Sequence, residues 1–256
     1  MQLRRLPQRG FTLTELAVVF AIVALLIGGA MMTLSAQVEQ RSNDETVRRL
    51  NTAAEAVLAY AIVNRRLPCP ATANTTGDEA LASGTSATGG PCTTNFGGFL
   101  PARTLGFQPV DSAGYGIDVW GNRIRYAVAA VITGCTGSSS TPHFTSLANL
   151  KANGVSCRPN DLDICAPVDI TTTCTIANRV VSTETVAFIV LSTGKNGAVT
   201  TAYGTHESAN TDGNATFISR PPTSSDAVTI GTFDDLMVWV PAGVLYAKLI
   251  SAGVLP

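Results

Sequence analysis

Between Pro7 and Pro68 the chain has no proline, and between Phe11 and Gln40 it has no lysine, arginine or histidine. The first absence removes the residue that most reliably ends a helix. The second leaves Gly10 to Val38 with Glu15 as its only charged side chain. Charge is sparse everywhere, 14% of residues with a net of −1. Without Arg4, Arg5 and Arg9 the chain carries 14 basic against 18 acidic residues. Nothing in that balance suggests a basic polyanion-binding surface, so nucleic acid is not an expected partner. The Arg48-Arg49 and Arg65-Arg66 pairs read as exposed, solvated helix faces or subunit contacts.

Histidine is scarce too: His143 and His206 are flanked by Thr, Ser and Pro and are expected in surface loops. No GxSxG elbow, HExxH helix, P-loop or dinucleotide fingerprint occurs. Each of those motifs puts a nucleophile, metal or phosphate at a defined turn or helix face, so an enzyme is not expected. No CxxC pair suggests zinc. The six cysteines, Cys69, Cys92, Cys135, Cys157, Cys165 and Cys174, all follow the apolar segment. An even number in an exported domain favours disulfides, and fifteen pairings are open. Sequence neighbours are preferred, Cys165 with Cys174 first, because the residues between them fit a short hairpin.

What is present begins with the apolar segment itself. As a helix, Gly10 to Val38 spans roughly 40 Å, more than the roughly 30 Å of bilayer hydrocarbon. Arg4, Arg5 and Arg9 precede it, which by the positive-inside tendency keeps the N-terminus cytoplasmic and the rest outside. A carboxylate carried to mid-membrane costs about 2.5 to 3.5 kcal/mol, so Glu15 needs a partner. A cut after Gly10 would create one, the amino group of Phe11, one turn away at the positive end of the helix dipole. An ordinary signal anchor is the competing reading, although it has no reason to carry an acid four residues into its apolar run.

The residues Gly10-Phe-Thr-Leu-Thr-Glu-Leu16, after a short basic leader, resemble the class III signal of type IV pilins and type II secretion pseudopilins. The resemblance implies a prepilin peptidase that cuts between Gly10 and Phe11 and methylates the new terminus. It also implies that Glu15 pairs with the Phe11 amino group of a neighbouring subunit during assembly. The family's proline in the second half of this segment is missing, and Gly28-Gly29 supplies comparable softness.

Beyond the membrane segment, Val47, Leu50, Ala54, Val57, Leu58 and Ala61 recur at helical spacing. One helix from about Thr12 to Asn64 is favoured; a break capped by Ser42-Asn43-Asp44 is the alternative. Ala71 to Gly98, rich in Gly, Ser and Thr, reads as a long loop. By resemblance it is the variable αβ-loop of pilins, with Cys69 and Cys92 near its ends. Arg123 to Thr133 is expected as the first strand and Glu184 to Leu191 as a central one, with Ile176 to Val181 as a neighbour. Gly134 to Asp163 reads as a decorating loop. Leu245, Tyr246, Leu249 and Ile250 mark a short C-terminal helix stopped at Gly253.

The expected class is therefore α+β, and by resemblance the type IV pilin fold, a long helix on an antiparallel sheet with an extra C-terminal helix. The segments are a leader over 1–10, a membrane and filament-core helix over 11–38, an amphipathic continuation over 39–66, the αβ-loop region over 67–122 and a β-sheet domain over 123–256. Asp118-Val-Trp-Gly-Asn122, Ser192-Thr-Gly-Lys-Asn-Gly197 and Phe233-Asp-Asp-Leu-Met-Val-Trp239 are similar to turns of the major pseudopilins. That likeness brings in calcium, for which Asn196, Asp212, Asp226, Asp234 and Asp235 supply oxygens. Thr201 to Thr211 reads as a neutral stretch diluting the family's acidic cluster, and solvated loop acids are the preferred reading; no other cofactor is expected.

By resemblance, the chain is a minor pilin or pseudopilin of a type IV pilus or type II secretion filament. It would sit as a single pass in the bacterial inner membrane with its globular domain periplasmic, before moving into a filament. Its partners would be homologous subunits, the prepilin peptidase, an assembly platform, the outer-membrane secretin machinery and membrane lipid. The alternative is a membrane-tethered binding or adhesion module whose disulfide-pinned loops engage a surface, sugar or DNA.

Overall fold

The computed structural model describes residues 12–130, 132–133, 142–159, 161–181, 185–197, 204–223 and 231–255, with backbone alone for 29–36, 132–133 and 158–159. The chain divides into two compact units, Met1–Asp44 and Glu45–Pro256. Helix α1, Leu13–Asn64, contributes to both. No break occurs at Ser42, whose hydroxyl donates to the Val38 carbonyl inside the helix instead of capping a new one.

In the first unit every described α1 side chain from Leu13 to Gly28 is exposed. Leu13, Phe20, Leu25 and Leu26 are 87%, 64%, 77% and 64% exposed. A helix that is apolar all round has no solvated face of its own. Among the described residues no helix is long and apolar enough to cross a membrane.

In the second unit, α1 buries Leu50, Ala53, Ala54, Val57 and Ala61, a spacing of three and four residues that keeps one face inward. Val47 is exposed and Leu58 only half-buried, so the buried stripe is narrower than expected and includes Ala53. These residues share one core with a four-stranded antiparallel sheet. In spatial order its strands are β1 (Gly98–Phe99), β2 (Arg125–Val128), β6 (Val186–Ser192) and β8 (Leu236–Pro241). All seven residues of β6 are buried, as a central strand covered on both faces requires. Helix α5, Ala242–Ser251, follows β8 directly and buries Leu245, Tyr246 and Leu249, leaving Ile250 exposed. The result is an α+β arrangement with an N-terminal helix and an antiparallel sheet.

Two small sheets flank the core: β3 (Ile132–Thr133) with β4 (Arg158–Pro159), antiparallel, and β5 (Asp163–Cys165) with β7 (Thr216–Ile218), parallel. Short helices α2 (Ala102–Leu105), α3 (Leu147–Asn153) and α4 (Thr205–Ala209) and a 3-10 turn at Gly154–Ser156 are the remaining helical elements among the described residues. Several expectations change here. The run Arg123 to Thr133 is not one strand and not the first; the Ala130 N–H turns aside to the Asp161 carboxylate at 2.7 Å. Ile176 to Val181 is no neighbour of β6, because the Asn178 side chain accepts the Thr175 N–H at 2.6 Å and closes a turn. The segment 134–163 is no plain loop: it carries β4 and α3, and its residues 134–141 and 160 lie outside the described set.

Of the arginine pairs, Arg49 is half-buried and donates to the Asp118 carbonyl at 2.8 Å. Arg66 is fully buried, paired with Glu79 at 2.6 Å. Cys69–Cys92 and Cys165–Cys174 are disulfides. Cys157 is also disulfide-bonded, and Cys135 lies outside the described residues. Both histidines are buried, not at the surface: the His143 ring meets the Tyr246 hydroxyl at 3.1 Å and the His206 ring meets the Thr171 carbonyl at 3.1 Å.

Candidate functional site

Two places in the chain concentrate chemistry. At the head of α1, Glu15 is held by the turn before it. The Thr12 N–H and hydroxyl both donate to Glu15 Oε2 at 2.9 Å, and the Glu15 N–H donates back to the Thr12 hydroxyl at 3.3 Å. This reciprocal arrangement is a capping box, in which side chains satisfy the free N–H groups of the first turn. Gly10 and Phe11, the expected processing residues, lie outside the described residues.

The second place lies between β6 and β8, where the three turn segments meet. Asp118 accepts from the Trp120 and Asn122 N–H groups at 2.9 and 2.8 Å and from the Ser192 hydroxyl at 2.6 Å. Burial raises the pKa of Asp118 despite these donors. Asn122 Nδ2 donates to the Gly194 carbonyl at 2.6 Å, joining the first turn to the second. Gly194 adopts a positive φ of 64°, and a Cβ there would fall on the Asp234 carboxyl; only glycine gives both the conformation and the space. The third segment thus lies against the second.

Around that contact, Glu207, Asp234 and Asp235 bring carboxylate oxygens within 4.8 Å of one another. Glu207 is fully buried: Oε2 accepts from Asn196 Nδ2 at 2.9 Å and from the Gly204 N–H at 2.8 Å, and Oε1 from the Asp234 N–H at 2.8 Å. Asp234 Oδ2 accepts the Asn196 N–H at 3.1 Å. Asp235, 4% exposed, accepts from Asn210 Nδ2 at 2.7 Å. Burial, reinforced by Glu207, pushes the Asp234 pKa up to about 6. Burial and the charges of Glu207 and Asp234 raise Asp235 well above the usual carboxylate range. Arg125 acts on Asp235, and Arg220 feels both Glu207 and Asp235, offsetting part of the negative charge.

Three oxygens in this cluster, Asn196 Oδ1, Asp234 Oδ1 and Asp235 Oδ1, are buried without a hydrogen-bond partner. An unsatisfied buried polar atom costs about 1 to 3 kcal/mol. Oxygen donors alone, most of them carboxylate, match a hard divalent cation and not a thiolate-seeking metal. Of the residues expected from sequence to supply ligands, Asn196, Asp234 and Asp235 converge here. Asp212 does not: it is exposed and its carboxylate takes the Asn214 N–H at 2.9 Å. Asp226 lies outside the described residues. Glu207 occupies the place Asp212 was expected to fill, from within the stretch read as neutral. Its carboxylate accepts the Gly204 N–H at the head of α4, only one half of a capping box because glycine has no side chain to return the bond, so the sequence carried no clear signal for it.

No curated protein and no solved structure matches the chain. One family model does, that of the prokaryotic N-terminal methylation motif, over residues 5–31. The motif includes the Thr12–Glu15 turn and implies assembly with other pilin subunits and processing by a prepilin peptidase. The chain carries the class III prepilin signal of type IV pilins and pseudopilins, which indicates a pilin-like or pseudopilin precursor.

Proposed function

We propose that the protein is a structural subunit, a minor pilin or pseudopilin, of a type IV pilus or a type II secretion filament, and not a catalyst. It is cut between Gly10 and Phe11 and anchored by a single pass in the inner membrane, N-terminus cytoplasmic and domain periplasmic. It then moves into a filament through the first half of α1, with an assembly platform and an outer-membrane secretin as the machinery and the pilin fold as its architecture. The observation that carries this reading is one carboxylate, Glu15, at the head of an otherwise apolar and fully exposed helical stretch within the methylation motif. Such a stretch is stabilised by packing against lipid or against copies of itself. Glu15 then sets register by meeting the methylated amino group of a neighbour's Phe11. Substituting Glu15→Leu keeps membrane insertion and sharply lowers incorporation into filaments; unchanged filament yield refutes the register role. N-terminal mass spectrometry separates this from the tethered binding module, since assembly demands a mature chain starting at methylated Phe11 and a simple anchor retains Met1.

A second reading concerns the acid cluster: Asn196, Glu207, Asp234 and Asp235 hold calcium. Its support is the set of three unpartnered buried oxygens. When bound, the cation supplies charge neutralisation that lets buried carboxylates stay ionised. Terbium luminescence and calcium calorimetry on the detergent-solubilised chain test it, with Asp235→Asn expected to weaken affinity by at least about tenfold.

A further inference from the structure

We propose that the acid cluster and the Cys165–Cys174 loop form one coupled device, in which a bound divalent cation fixes the loop through helix α4. The proposal rests on the calcium reading above. Helix α4 is short, and its side chains diverge. Glu207 enters the cluster. His206, its neighbour, is fully buried and donates from Nε2 to the Thr171 carbonyl, in the middle of the disulfide-closed loop. Asn210, just past the helix and 2% exposed, binds Asp235 with one amide proton and the Ile218 carbonyl at 3.0 Å with the other. Its oxygen accepts the Ile218 N–H at 2.6 Å.

Ile218 ends β7, which pairs with β5 through Cys165. The Ser219 N–H donates to the Cys165 carbonyl at 2.8 Å. Phe233, adjacent to Asp234, is buried with Cys165, Ala209 and Ile218, and Cys174 rests against that group. The middle of the loop is therefore tied to α4 next to Glu207, and its base to Asn210 and Phe233 beside Asp235 and Asp234. The loop has little core of its own, with Val168 87% and Ile170 61% exposed. Without a cation, the unpartnered buried oxygens of Asn196, Asp234 and Asp235 beside Glu207 oppose the position of α4 that holds the loop; a cation that takes them as ligands removes that opposition. Occupancy and loop order are then linked, each favouring the other.

The test is amide exchange by mass spectrometry over residues 166–174 of the full chain in detergent, with and without calcium, while terbium luminescence reads the site separately. At calcium about ten times its dissociation constant, a fully coupled loop exchanges about tenfold more slowly. His206→Ala, or the shorter donor in His206→Asn, leaves the cluster's oxygens in place, so terbium still binds and the slowing is lost. If calcium binds and exchange over 166–174 does not change, or if both His206 variants slow as the wild type does, the coupling is wrong and the cation site stands. If terbium and calcium do not bind at all, both readings fall.

Discussion

Thr12 and Glu15 show how much a pair of side chains can hide. The spacing Thr-x-x-Glu at the start of an apolar run is a legible capping box, yet the acid reads from sequence as waiting for a cation, because no lysine, arginine or histidine lies between Phe11 and Gln40. In the folded chain the donors of its own first turn meet it. The histidines were misleading for the opposite reason. Thr, Ser and Pro neighbours suggest solvent, but His143 is buried by Phe144 beside it and by Tyr246, 103 residues away. Burial pushes the His143 pKa down from 6.5 to about 4. As pH falls below 6.5 the unfolded chain takes the proton first, so this contribution to stability is complete above 6.5 and shrinks until pH reaches about 4. Urea unfolding of the wild type and His143→Gln at pH 7 and pH 4.5 measures it: the wild-type advantage should fall by about 2 kcal/mol or more at the lower pH. An unchanged difference would mean that the ring is not desolvated.

Among the elements, α1 and β6 were legible because each is built from a one-dimensional pattern, an unbroken helical period and an apolar run ended by a glycine turn. β1 was not, being two residues long and defined by its distant partners β2 and Ala71. The long loop after α1 likewise owes its order to distant side chains. Arg66, just before it, is fully buried and donates to Glu79, the Tyr60 hydroxyl and the Ser86 carbonyl. Burial and the Glu79 charge raise the Tyr60 pKa to about 12, so that hydroxyl stays protonated within the network. Nothing in the composition of that loop announces a buried ion pair; the Arg65-Arg66 dipeptide reads as surface charge. Removing one charge of such a pair leaves the other stranded. Glu79→Gln should therefore cost about 3 kcal/mol or more, and the joint change Arg66→Met with Glu79→Leu should recover most of the loss. Thermal unfolding of the three proteins decides it, and equal stability of Glu79→Gln and wild type would show that the pair contributes nothing.

For the molecule as a whole, the order of one long apolar helix followed by strands and turns was enough to read the α+β class and the processing signal. The acid cluster was only partly legible. Asn196, Asp234 and Asp235 stand in recognisable turns, while Glu207 arrives from a short helix whose position depends on Asn210, Ile218 and a disulfide-closed loop. Convergence of that kind is a property of three-dimensional contact, and no local spacing records it.

The bond between Thr12 and Glu15 also bears on assembly. The Glu15 carboxylate, though exposed, already has two donors from its own first turn. On the assembly reading proposed above, joining a filament exchanges the Thr12 donors for a neighbour's amino group, so the gain is the difference between two partners and not the rescue of a bare charge.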